Sequence, residues 1–246
     1  MILEICAINL ESAIAAEKGG ASRIELCDNI IEGGTTPSAA TIKLAVEYLS
    51  IPVNVLIRPR GGDFIYSDLE FENIIEDIKY CKSVGVSGIV IGVLKNDSSI
   101  DIKRTKQLVE LANPMNVTFH RAFDLCIDVF QSMEDVISTG AIRILTSGQQ
   151  QSADKGISLL KKLQSKSNNR IIIMPGGGIN INNVEHIIKT TSVSEIHMSA
   201  KTKVPTKMDL HQYNITLSGG DFANEKYHYS SDYNLVKAIA KTIFDD

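Results

Sequence analysis

Three side chains able to do chemistry stand close together in the stretch VTFHRAFD, residues 117–124: His120, Arg121 and Asp124. They follow directly on an apolar, β-rich run. An imidazole titrates near neutral pH and serves as acid, base or metal ligand. A second set lies in RPRGGDFIYS, residues 58–67, where Arg58 and Arg60 flank a proline and Asp63 follows two glycines. Paired guanidiniums suit carboxylate or phosphate through forked hydrogen bonds. A third lies in RIELCD, residues 23–28, with Glu25 and Cys27 two positions apart. A thiol there is a soft-metal ligand for Cu(I) or a nucleophile. Its plainer role is that of a small buried residue. Three further segments carry glycine and hydroxyl groups: TSGQQ with Ser147 and Gly148, MPGGGININN with Gly176, Gly177 and Gly178, and MSA with Ser199. Backbone N–H groups exposed ahead of a helix make an anion site.

Groups so far apart in sequence act together only if the elements carrying them converge. Eight short β-rich runs recur along the chain: residues 2–6, 23–26, 53–57, 88–92, 116–119, 142–145, 170–174 and 195–198. Amphipathic segments with helical spacing separate them. Glycine closes three of the helices, in GGASRIEL, VGVSGIVIG and TGAIRILTSG, as the left-handed position after a helix favours. This pattern predicts an α/β fold, a (β/α)8 TIM-type barrel over residues 1–200. Residues 201–246 form a C-terminal extension of loop and terminal helix on the same domain. An open doubly wound sheet is the alternative, but no GxGxxG opens the first helix.

Strand side chains alternate between two faces. With the apolar positions turned toward the helices, Glu4, Cys6, Glu25, Cys27, Asn54, Arg58, His120, Glu195, His197 and Ser199 point inward. Buried charges must pair. The expected pairing sets Glu4, Glu25 and Glu195 against Arg58, His120 and His197, and the bland reading is that such pairs merely fill the barrel. Residues at the C-terminal strand ends point to function instead, because barrels of this type carry their sites there.

Bulk properties exclude several classes. The net charge of −4, with no basic cluster, disfavours nucleic-acid binding. The four cysteines form no CxxC pair, which predicts reduced thiols in the cytoplasm. No apolar run reaches the length of a membrane span, and the first residues lack the basic segment of a signal peptide.

The motifs RIELCD with EGG and TPS, IRPRGGDF, TFHRAFD, RILTSG and the strand-eight pattern of Glu195, His197 and Ser199 occur together over residues 1 to about 200. In this order they resemble the CutC family, named for copper homeostasis. Thr35 departs from the usually apolar residue of its loop. The resemblance implies a cytoplasmic (β/α)8 barrel that forms a homodimer or higher homo-oligomer, with copper as ligand and Cys27 and His120 as Cu(I) contacts. Two functions are therefore expected. One is a copper homeostasis protein binding Cu(I) at the barrel rim. The other is an enzyme on a small phosphorylated or carboxylated substrate. Its catalytic set would be Glu25, Arg58, Arg60, Asp63, His120, Arg121 and Asp124, with anion binding by Ser147, Gly148, Gly176, Gly177, Gly178 and Ser199.

Overall fold

The computed structural model describes residues 1–208 and 226–244. All eight expected strands form: β1 Ile2–Ala7, β2 Arg23–Leu26, β3 Val53–Leu56, β4 Gly88–Ile91, β5 Asn116–Phe119, β6 Arg143–Thr146, β7 Ile172–Pro175 and β8 Glu195–Met198. They pair in parallel in the order β7-β6-β5-β4-β3-β2-β1-β8. The ends of that order, β7 and β8, lie side by side and bring the sheet round into a barrel. Helices α1 Leu10–Gly19, α2 Ala39–Tyr48, α3 Asp68–Ser83, α4 Ile102–Ala112, α5 Val129–Thr139, α6 Ile157–Ser167 and α7 Val184–Thr191 alternate with the strands.

Local sequence starts and stops these helices. Asn9 caps α1, and Ser67 with Glu70 forms a capping box on α3. Gly20 and Gly140 follow α1 and α5 in the left-handed conformation, as the glycine-closed helix ends predict. The outward strand positions, among them Leu3, Ile5, Ile24, Val55 and Phe119, are fully buried between sheet and helices. Each such side chain contributes on the order of 1.5–3 kcal/mol. A separate small inner cluster holds Cys6, Cys27, Leu56 and Val90, so the two faces divide as the alternation predicts.

The lower interior is ionic, but its basic partners differ from the expected ones. Arg23 bonds Glu4 through Nε and donates to Glu195 Oε2 at 2.6 Å. Arg143 donates to both oxygens of Glu195, at 2.6 and 3.0 Å, and to Thr118 Oγ1. Asn54 and His197 complete the shell of Glu4, with His197 Nδ1 at 2.8 Å from Oε1. Neither Arg58 nor His120 pairs with these carboxylates, and of the three expected partners only His197 does. Arg23 and Arg143 occupy the first positions of β2 and β6, where alternation already places them inward. They bind low in the barrel, whereas Arg58 and His120 leave their strands at the rim.

The described part of the extension holds a strand pair that its composition does not suggest. β9 Lys201–Pro205 and β10 Tyr227–Ser231 pair as antiparallel strands, with Val204 opposite His228 and Thr202 opposite Ser230. Lys203 stands opposite Tyr229 and Pro205 opposite Tyr227, across a sequence gap too long for the pairing to be legible. Residues 209–225, including His211, lie outside the described residues. The terminal helix, α8 Tyr233–Phe244, packs on α1. Gly19 permits this approach, since a Cβ there would stand 2.7 Å from Val236. No described helix is long and apolar enough to cross a membrane.

The interior pairs generate a stability prediction. Replacing Arg143 with Met leaves Glu195 with Arg23 as its remaining cation. Urea unfolding is expected to show a loss of about 3 kcal/mol, because breaking a buried pair costs more than replacing both partners. The double substitution Arg143→Met, Glu195→Leu is expected to recover part of that loss.

Candidate functional site

A cavity of about 460 Å³ opens at the C-terminal ends of the strands. Cys6, Glu25 and His197 line it from β1, β2 and β8, and Arg58, Phe64 and His120 from the ends of β3 and β5 and the loop after β3. Arg121, Gly177, Gly178 and Ser199 line it from the segments that follow β5, β7 and β8, and Lys201 from the start of β9. The position agrees with the rim placement expected of a TIM-type barrel.

One part of the lining is a sulfur, carboxylate and imidazole cluster. Ligand atoms of Cys6, Glu25 and His197 all lie within 4.8 Å of one another. The Cys6 and Cys27 sulfurs are 3.3 Å apart, both reduced and buried. The contact to Cys27, reinforced by burial, holds the Cys6 thiol pKa well above its usual range. Burial works against charge on His197, yet Glu25, Cys6 and Glu4 together raise its pKa well above the ordinary imidazole value. Burial also opposes ionisation of Glu4, but His197 and Arg23 outweigh it and bring the carboxyl to about 2. Glu25 moves the other way. Burial raises it, and His197 Nε2 at 3.7 Å only partly compensates.

His120 has the opposite character to His197. Its Nδ1 accepts from the Ala122 amide at 3.1 Å, which puts the proton of the neutral ring on Nε2. Burial, aided by the Arg58 charge, lowers its pKa to about 3. Nε2 has no partner among the described residues. Gly92 makes room for this ring, since a Cβ there would meet it at 2.2 Å.

The expected site residues divide into two groups. Glu25, Arg58, His120, Arg121, Gly177, Gly178 and Ser199 line the cavity. The others do not line it, and bonds within the protein occupy them. Arg60 binds Glu70 and Asp63, tying the loop after β3 to the start of α3. Asp124 accepts from Thr146, from Ser147 and from the Gln149 amide, and pins the loop after β5 to that after β6. Ser147 bridges Arg121 and the Gln150 carbonyl. Gly148 and Gly176 serve close packing, against Gly156 and against Leu145 and His197 respectively. Cys27 sits behind Cys6. Cys126 packs with the outer core.

Strand alternation turns Cys6 and His197 inward but does not by itself assign them to the site. The signal that joins them to the site is register. Cys6 pairs with Glu25 across β1 and β2, and Glu4 with His197 across β1 and β8.

A family model matches residues 1–202, and that model is the CutC family. This chain belongs to the CutC family. A CutC family protein of Chromobacterium violaceum is 43% identical over 242 residues, covering 98% of each chain. A copper homeostasis protein cutC homolog of Mus musculus is 41% identical over 246 residues, covering 98% of this chain and 90% of that one. The CutC crystal structure from Streptococcus agalactiae superposes with a TM-score of 0.78 at 37% identity, covering 81% of this chain and 98% of that one. The barrel described above is thus a CutC barrel.

The two CutC-site histidines are expected to titrate far apart. Imidazole ¹H–¹⁵N spectra should show His120 neutral, protonated on Nε2, down to about pH 4, while His197 keeps both ring protons well above the pH at which an ordinary imidazole loses one. A His120 titration near 6.5 would contradict this geometry. The unfolded chain binds a proton on His120 below about 6.5 and the folded chain only near 3, so stability falls as pH drops through that window. His120→Gln is expected to flatten that slope in urea unfolding.

Proposed function

We propose that this chain is a cytoplasmic copper homeostasis protein that holds Cu(I) on the thiol pair Cys6 and Cys27. The observation that carries this reading is the 3.3 Å separation of two buried, reduced sulfurs beside the rim cavity. Cu(I) is a soft ion and favours thiolate. Cys6 takes the place first expected for His120, because it is the sulfur adjacent to Cys27. The family's copper homeostasis names agree with a soft-metal cargo.

The surroundings suit a thiolate pair. Binding displaces both thiol protons, since a coordinating thiol is deprotonated. The His197 imidazolium, clamped by Glu4 and facing Glu25, supplies positive charge next to the sulfur of Cys6. One Cu(I) with two thiolates carries a net negative charge, which that imidazolium offsets. Four buried thiols without a disulfide also fit a reducing compartment.

An anaerobic Cu(I) competition titration on the whole chain tests the reading. The expected result is one tightly bound Cu(I) per chain, weakened at least about 100-fold by Cys6→Ser or by Cys27→Ser, with affinity rising with pH as protons are released. Binding that ignores both substitutions would refute the site.

A further inference from the structure

A buried arginine without a counter-ion lies a few residues from the copper ligands in space but outside their bonding. Arg58 is 5% exposed. Its Nη1 donates to the carbonyls of Glu32 and Gly34 and its Nη2 to that of Gly62. Phe64 lies under the guanidinium at 4.9 Å. The neighbouring Tyr66 phenol is neutral, pushed up to about 12 by burial. Among the described residues, no carboxylate comes within 4.0 Å of this cation. Carbonyls hold a guanidinium in place, but they do not neutralise it, and a buried charge without a counter-charge is costly. Every other buried arginine of the barrel interior has its carboxylate, as Arg23 and Arg143 show.

Independent observations point into the same cavity. His120 is 5% exposed, and its Nε2–H has no acceptor. Phe64 packs on its ring at 4.8 Å, so this one phenyl shields both His120 and Arg58. Across the cavity, the amides of Gly177 and Gly178 donate to no acceptor among the described residues. Arg121 spends Nε on Asp124 and Nη2 on Ser147, leaving Nη1 over Gly177. Lys201 adds a further cation to the lining, and the carboxylate there, Glu25, faces His197. Unused donors and a buried cation without a direct carboxylate partner thus converge on a volume far larger than a metal ion needs.

We propose that this cavity binds a small organic oxyanion, a carboxylate or phosphate monoester, with Arg58 as its counter-ion and His120 Nε2–H as a hydrogen-bond donor. The ligand displaces Phe64 to reach both groups. Arg121 and the Gly177–Gly178 amides receive its far end. This inference uses residues that the copper site does not, so the two readings stand or fall separately.

Calorimetric titration of the metal-free whole chain with malonate, 3-phosphoglycerate and inorganic phosphate tests it. Saturable one-to-one binding of malonate would identify a carboxylate site. Binding of 3-phosphoglycerate and phosphate without malonate would identify a phosphate site. Either result should be accompanied by a shift of the His120 Nε2–H resonance in the wild-type protein, which needs no variant. Affinity is expected to fall at least about tenfold in His120→Phe and in Arg58→Lys, which keeps the charge but loses the fork. No saturable binding by any of the three, or binding that leaves the His120 resonance unmoved, would overturn the proposal.

Discussion

Charge balance inside a nearly closed barrel is the constraint on which the rest of this structure depends. Glu4, Glu25 and Glu195 project into an interior that also holds Arg23, Arg143 and His197. The two arginines and two of the carboxylates form a chain, Glu4 to Arg23 to Glu195 to Arg143, that links strands β1, β2, β6 and β8. Because such groups cannot be left unpaired in a low-dielectric interior, the chain fixes where each strand sits and how its inward residues meet. His197 is the point where this ionic layer touches the cavity above it.

That layering explains why two histidines in one small site behave oppositely. His197 stands between two carboxylates and retains its proton. His120 stands against Phe64 and near Arg58, and loses it. One is a fixed cation beside the Cys6 sulfur, the other a neutral donor with an unused N–H. The same logic separates the two arginines of the loop after β3. Arg60 is compensated at the surface by Glu70 and Asp63, whereas Arg58 turns inward and bonds backbone carbonyls instead of a carboxylate.

Much of this architecture was legible in the sequence. The recurring β-rich runs located every barrel strand within a few residues, because period-two alternation and glycine-closed helices are local signals. Alternation also placed Glu4, Cys6, Glu25, His120 and His197 inside. It could not say who meets whom, since that depends on register between strands. Hence Arg58 and His120 stood in for Arg23 and Arg143 as ion-pair partners, and the close approach of the Cys6 and Cys27 sulfurs was not legible. Asp124 and Arg60 read as site residues from their neighbours in sequence, yet both bind loops together. The hairpin of β9 and β10 was hidden because its strands are joined by a long polar stretch with no hairpin turn signal.

X-ray absorption at the copper edge of the Cu(I)-loaded chain decides whether the Cys6–Cys27 pair is the copper-binding element of this barrel. Two sulfur scatterers are expected at about 2.3 Å, by analogy with the zinc–thiolate distance. A first shell of nitrogen and oxygen alone, or sulfur scattering unchanged in the Cys6→Ser, Cys27→Ser double variant, would contradict this assignment.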